Sequence, residues 1–335
     1  MTTILEWKER AICFYVRNEV YLTPIVKFVV AFAAFFMINT NIGYMGRISS
    51  TPIALILALL CSIFPVNFMI VMATLVVLLD LYALSLEVCL VALILFLLIY
   101  LVYFRFAPKH GYNVLLTPIF FHLGVPYIMP IGMGLLQNAY SVFALICGTV
   151  IYFFLNGVRE NAAVLSDAVE TAEDETVSKI VVVLNQLIGN REMYLAIGIM
   201  CATLVIVYII RRMSIESSWQ IAIVSGILFQ SIGLIAGYML LGIEGRTVGI
   251  LVGNVIAIVI SLVIQFLFFN LDYSRTERLQ FEDDEYYYYV KAVPKAAVAS
   301  TKKQVKRFGG KDEKEERLTK KQFAEEMDID EDLLD

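Results

Sequence analysis

Nine apolar runs, at about residues 21–39, 52–64, 66–84, 86–104, 114–136, 139–155, 194–210, 219–241 and 247–270, constrain this chain more than anything else in it. A run of about 18 or more apolar residues can cross a hydrocarbon core about 30 Å thick as a helix rising about 1.5 Å per residue. The chain is 59% hydrophobic and only 17% charged, and nearly all of that charge is confined to the two ends and one central segment. The expectation is an all-α, polytopic transmembrane helix bundle with about eight spans plus one re-entrant hairpin.

The hairpin is the run 114–136, VLLTPIFFHLGVPYIMPIGMGLL. Pro118, Pro126 and Pro130 each remove a backbone donor, and each pushes the preceding residue out of helical geometry. Gly124, Gly132 and Gly134 loosen it further. Irregular backbone persists at membrane depth only where protein or a water-filled cavity satisfies its polar groups. A broken helix pair, buried among ordinary spans, answers that requirement.

Charge gives an independent test. Cytoplasmic loops carry the Lys/Arg excess. Here that excess lies at Lys8, Arg10 and Arg17, at Arg105 and Lys109, at Arg211 and Arg212, and at Arg275 and Arg278. For all of these to share one side, an even number of crossings must separate each pair of groups. Three runs lie between Lys109 and Arg211, so one of them must enter and leave by the same face. The proline-broken run is the one suited to it. Both termini are then cytoplasmic, in a multi-pass protein of the cell membrane, and the first span serves as its own uncleaved insertion signal. The short run 52–64, which ends at Pro65, is the weakest crossing.

Outside the spans, residues 1–20 read as an interfacial helix with Trp7, Tyr15 and Tyr21 at headgroup level. The loop 156–193 is extracytoplasmic on this parity. Val177, Ile180, Val181, Leu184, Leu187 and Ile188 form a helical stripe there, closed by Gly189-Asn190 as a C-terminal cap. Two helices folded onto the spans are expected, with docking of a protein partner as the alternative. The juxtamembrane segment 271–299 pairs an acidic block with the strand-forming Tyr286–Val290. The mixed-charge tail 300–335 is too polar to bury a core.

Ionisable groups in a membrane are costly and therefore candidates for function. Asp80 and Glu87 read as reaching water near a span end. His122 lies within the broken run, either as a cavity residue or, the preferred reading, as a cap for backbone freed by Pro126. His122 and Pro126, with the mid-span amides Gln230 and Asn254, are the candidate ligand or cavity residues. Gly233 with Gly237, and Gly249 with Gly253, are spaced four apart on consecutive runs and predict close packing of those two helices on each other. The five cysteines have neither disulfide nor metal spacing. No Walker loop, HExxH or serine elbow is present, and no basic face suits nucleic acid. No cofactor, metal or catalytic residue is expected.

The segments YMGRISSTPIALILALLCSIFPVN, RFAPKHGYNVLLTPI, VPYIMPIGMGLL and DYSRTERLQFEDDEYYYYVKAVPK resemble an uncharacterised family of polytopic membrane proteins from anaerobic Gram-positive bacteria. That family is often labelled ABC transporter permease. The resemblance implies a cell-membrane location and carries over no functional residue. The leading functional expectation is a transporter or permease subunit. A non-transporting scaffold or assembly factor for the cell envelope is second, with the lipid bilayer and a protein at the outer loop or the tail as partners.

Overall fold

The computed structural model describes residues 2–46, 48–166, 174–213, 215, 217–243, 245–269, 277–282 and 287–292. The expected tail, 300–335, lies outside the described residues. The body is an all-α helical bundle. Its first helices are α1 (Thr2–Arg17), α2 (Glu19–Asn41), α3 (Thr51–Ile63), α4 (Val66–Leu84) and α5 (Leu86–Phe106). The broken run forms α6 (Gly111–His122) and α7 (Ile128–Leu136). There follow α8 (Ser141–Glu160), α9 (Ala162–Leu165), α10 (Asp174–Ile188), α11 (Arg191–Arg212), α12 (Ser218–Leu240) and α13 (Thr247–Phe268). An antiparallel hairpin, β1 (Glu277–Glu282) with β2 (Tyr287–Ala292), pairs Glu277 with Ala292 and Glu282 with Tyr287. The strand expected at the tyrosine run is β2.

Local chemistry sets the breaks. Pro52 occupies the first turn of α3, where its missing donor costs nothing, and Pro65 separates α3 from α4. The Asn190 side chain accepts from Met193 N at 3.0 Å. The Gly189-Asn190 pair therefore starts α11 as well as ending α10.

Side-chain bonds fix which helix ends lie together. Lys27 on α2 donates to Phe64 O after α3 at 3.1 Å, and the Tyr103 hydroxyl on α5 meets Asn67 of α4 at 2.7 Å. Arg211 at the end of α11 reaches Gln137 O after α7, and Trp219 of α12 packs on Phe269 after α13. These contacts define a basic end. At the far end, Asn41, the last residue of α2, bonds both His122 of α6 and Arg159 of α8, while Arg246 before α13 pairs with Glu192 of α11. Successive long helices thus alternate in direction.

Seven stretches among the described residues are long and apolar enough to cross a membrane, with α3 a shorter apolar helix of 13 residues. Their outward faces are apolar too. Helix α5 buries Val88, Ala92, Phe96 and Ile99 and exposes Leu90, Leu93, Ile94, Leu97, Leu98 and Leu101. A helix apolar all round needs lipid on its outer side, since water would meet a patch far larger than soluble monomers expose.

The halves of the broken run belong to different helix groups. Helix α6 packs on α8, α2 and α4, whereas α7 packs on α11, α13 and α12. Gly148 brings α8 against Thr117 and the carbonyl of Val114, an acceptor whose helical donor Pro118 has removed. Gly134 brings α7 against Val207 and the Leu204 carbonyl of α11.

Three expectations are corrected. Gly233 and Gly237 face Ile199 and Leu195, so they seat α12 on α11 and not on α13. Gly249 faces open space, and Gly253 faces the Tyr127 ring. Four-residue spacing marks a thin helix face, but the neighbour is chosen by tertiary packing. Asp80 does not reach water: it is fully buried, and its Oδ1 accepts from Met45 N and Ser49 Oγ, each at 3.1 Å. The loop after α2 folds over it. On α10 the inward residues are Val183, Val182 and Leu187, whereas Val181, Leu184 and Ile188 are exposed. The stripe is rotated because α10 meets both α5 and α8.

Candidate functional site at the hairpin tip

The turn-back is closed at its base by a reciprocal amide pair. Asn113 Nδ2 donates to Gln137 Oε1, and Gln137 Nε2 donates to Asn113 Oδ1 at 3.2 Å. Residues flanking opposite ends of the broken run therefore touch. Arg211 donates to Leu135 O and Gln137 O, filling carbonyls that the end of α7 would leave without donors. With 12 and 9 residues, α6 and α7 are about 18 Å and about 14 Å long, short of a bilayer core.

The tip is built by a glycine-capped helix end. Gly124 N donates to Phe121 O and Val125 N to Phe120 O, each near 3.0 Å, and Gly124 has φ +75°. This is the Schellman arrangement. It uses glycine where a Cβ is unwelcome, sets Phe120 and Val125 against the same apolar cluster, and has Pro126 immediately after. His122 is not needed as a backbone cap, contrary to the preferred reading. Pro126 is buried, and its carbonyl accepts from Met129 N as α7 begins.

On one flank, Asn41 organises two donors. Its Nδ2 bonds Met37 O at 3.0 Å and His122 Nδ1 at 3.2 Å, and its Oδ1 accepts from Arg159 at 2.7 Å. With Nδ1 as acceptor, His122 carries its proton on Nε2; this tautomer is assigned from the bonding pattern. His122 and Arg159 both remain exposed.

On the other flank, Gln230 and Asn254 do meet, and both are buried. Gln230 Nε2 donates to Asn254 Oδ1 at 3.0 Å and to Tyr127 O at 3.4 Å, while Asn254 Nδ2 donates to Ile250 O at 3.0 Å. Gln230 Oε1 has no partner among the described residues. Gly253 admits the Tyr127 ring, since a Cβ there would strike it. Toward the far end, the Tyr238 hydroxyl donates to Glu192, which also holds Arg246.

The tip therefore separates the predicted residues. His122 stands on the α2–α8 flank and Gln230 with Asn254 on the α11–α13 flank, with Pro126 between them. Sequence reasoning missed Asn41, Asn113, Tyr127, Gln137 and Arg159 as partners. Asn113 and Gln137 were the legible ones, being polar residues bracketing an apolar run. One flank offers donors to an anion; the other offers a buried acceptor. No cluster of three metal-ligating side chains occurs among the described residues.

At the basic end, burial pushes the His110 imidazole below its ordinary value, helped by the charge of Lys109 and opposed by a hydrogen bond to Gln137. Lys8 of α1 is buried where it donates to Phe269 O at 2.7 Å, and that burial lowers its ammonium as well.

Outward apolar faces, alternating helices and a turned-back pair of half-helices define a multi-pass integral membrane protein. Compared with family models, curated proteins and solved structures, the chain matches none.

Proposed function

We propose that this is a transport-type protein whose re-entrant hairpin enters from the cytoplasmic face, with both termini cytoplasmic. One observation carries the reading. Two half-helices return to the end they started from, yet dock on different helix groups, leaving polar groups on both sides of the tip. Discontinuous helices at such positions commonly line substrate sites in transporters. The common location of Lys8, Lys109 and Arg211 supports the orientation.

A test independent of substrate is the distance between spin labels at Leu86 and Leu240, exposed far-end positions on the two helix groups. A transporter that opens across the hairpin gives at least two distance populations in bilayers. A single narrow distribution, unchanged between detergent and bilayer, rejects it. The scaffold reading is favoured by the close seating at Gly134 and Gly253, which leaves no room for a Cβ between hairpin and bundle. It predicts that narrow distribution.

A further inference from the structure

We propose that the crevice between α2, α6 and α8 binds a phosphate-headed lipid, with its tail inside the bundle and its headgroup on Arg159 and His122. The crevice has two storeys that share Met37, Ile38 and Leu155. The lower is a cavity of about 50 Å³ reached by Ala34, Ala73, Phe96, Pro118, Ile119 and Ile151. That is room enough for water, but a buried water needs two to four polar partners. Among the described residues, the one polar side chain lining the cavity is Thr74, already bonded to Ile70 O and Tyr100. Hydrocarbon suits this space and water does not. In a bilayer the hydrocarbon at hand is a lipid tail.

The upper storey supplies the opposite chemistry. Arg159 spends one N–H on Asn41, keeps its others, and meets no carboxylate among the described residues. The nearby Glu160 is engaged by Asn156 Nδ2 at 2.7 Å. With Asn41 on Nδ1, His122 is left its Nε2–H as a donor, on an exposed side chain. A guanidinium and an imidazole N–H held by one amide form a preset pair of donors for phosphate oxygens. From Ala34 to Asn41 the helix climbs about 10 Å, so tail and headgroup contacts lie within reach of one amphipath. The site uses one of the two polar flanks named in the transport reading, the one opposite Gln230 and Asn254, and requires no transport for lipid to bind there.

The test uses the full chain in a neutral detergent, titrated with single-chain phosphatidylglycerol, single-chain phosphatidylcholine or inorganic phosphate. Binding is read by thermal shift and by retained mass in native mass spectrometry. The anionic lipid is expected to bind about tenfold or more tighter than the zwitterionic one. Arg159→Gln, at an exposed position, is expected to erase that preference. Ala73→Leu, or Ile119→Phe if the first fails to fold, fills the cavity and is expected to weaken both lipids alike. Equal binding of the two lipids by the unaltered chain overturns the proposal. So does protection by phosphate alone at matching concentration, or unchanged lipid binding in a folded cavity-filling variant.

Discussion

Gly134→Ala tests how tightly α7 is seated on α11. A Cβ at Gly134 lies 2.8 Å from Val207 Cβ and Cγ1 and 3.0 Å from the Leu204 carbonyl oxygen. Neither neighbour yields readily: valine is stiff at χ1, and the carbonyl belongs to the α11 backbone. Overpacking of this kind costs about 1–3 kcal/mol. Replacing a helical glycine by alanine returns about 1 kcal/mol through propensity. The net expectation is a loss of up to about 2 kcal/mol, or up to roughly 6 °C in melting temperature. Gly249→Ala is the control, because nothing lies within 4 Å of a Cβ there. It keeps the propensity gain alone and is expected to melt at or slightly above the parent temperature. Gly237→Ala falls between, as its Cβ meets the movable end of Leu195. The three variants are compared by thermal unfolding in one detergent. If Gly134→Ala proves as stable as Gly249→Ala, α7 does not rest on α11 at this distance, and the seating of the hairpin is wrong.

Other perturbations address the base of the hairpin and its surroundings. Arg211→Met strips the donors from Leu135 O and Gln137 O, at about 2–3 kcal/mol, and hydrogen exchange across residues 133–138 should quicken; unaltered exchange would show that Arg211 is not the cap. Single cysteines at Lys109 and Asn138 should react with an impermeant reagent from one side of sealed vesicles and a cysteine at Leu241 from the other, whereas labelling of Lys109 and Asn138 from opposite sides would make the broken run a full crossing. Because His110 has a folded value below its unfolded one, folding favours the neutral ring, so its contribution is present above about pH 6.5 and declines as pH falls below that. His110→Gln should flatten stability between about pH 5 and pH 7, and an identical pH profile would remove His110 as the cause.

Particular residues show how far the pattern of the chain can be read. The helical runs and the break at Gly124-Val125-Pro126 are local properties, written in side-chain volume, missing donors and glycine's access to positive φ. They were legible for that reason. The Gln230–Asn254 contact was legible only as two costly amides in apolar runs, which must find partners somewhere. Their meeting Tyr127 O was not, because a carbonyl carries no sequence signal. Asp80 misled for a related reason: its span position suggests water, while the loop from Met45 to Ser49 covers it.

What the sequence determined by itself is the class of object: apolar helices of bilayer length, one of them unable to stay continuous. Periodicity, chain length and the chemistry of proline and glycine suffice for that, since each acts within a few residues. Which helix each glycine faces, and which flank of the tip receives His122, only the tertiary structure decided. In a bundle whose helices are apolar on every side, hydrophobicity does not tell inside from outside. Close fit and scarce hydrogen-bond partners make that choice, and both depend on residues far apart in the chain.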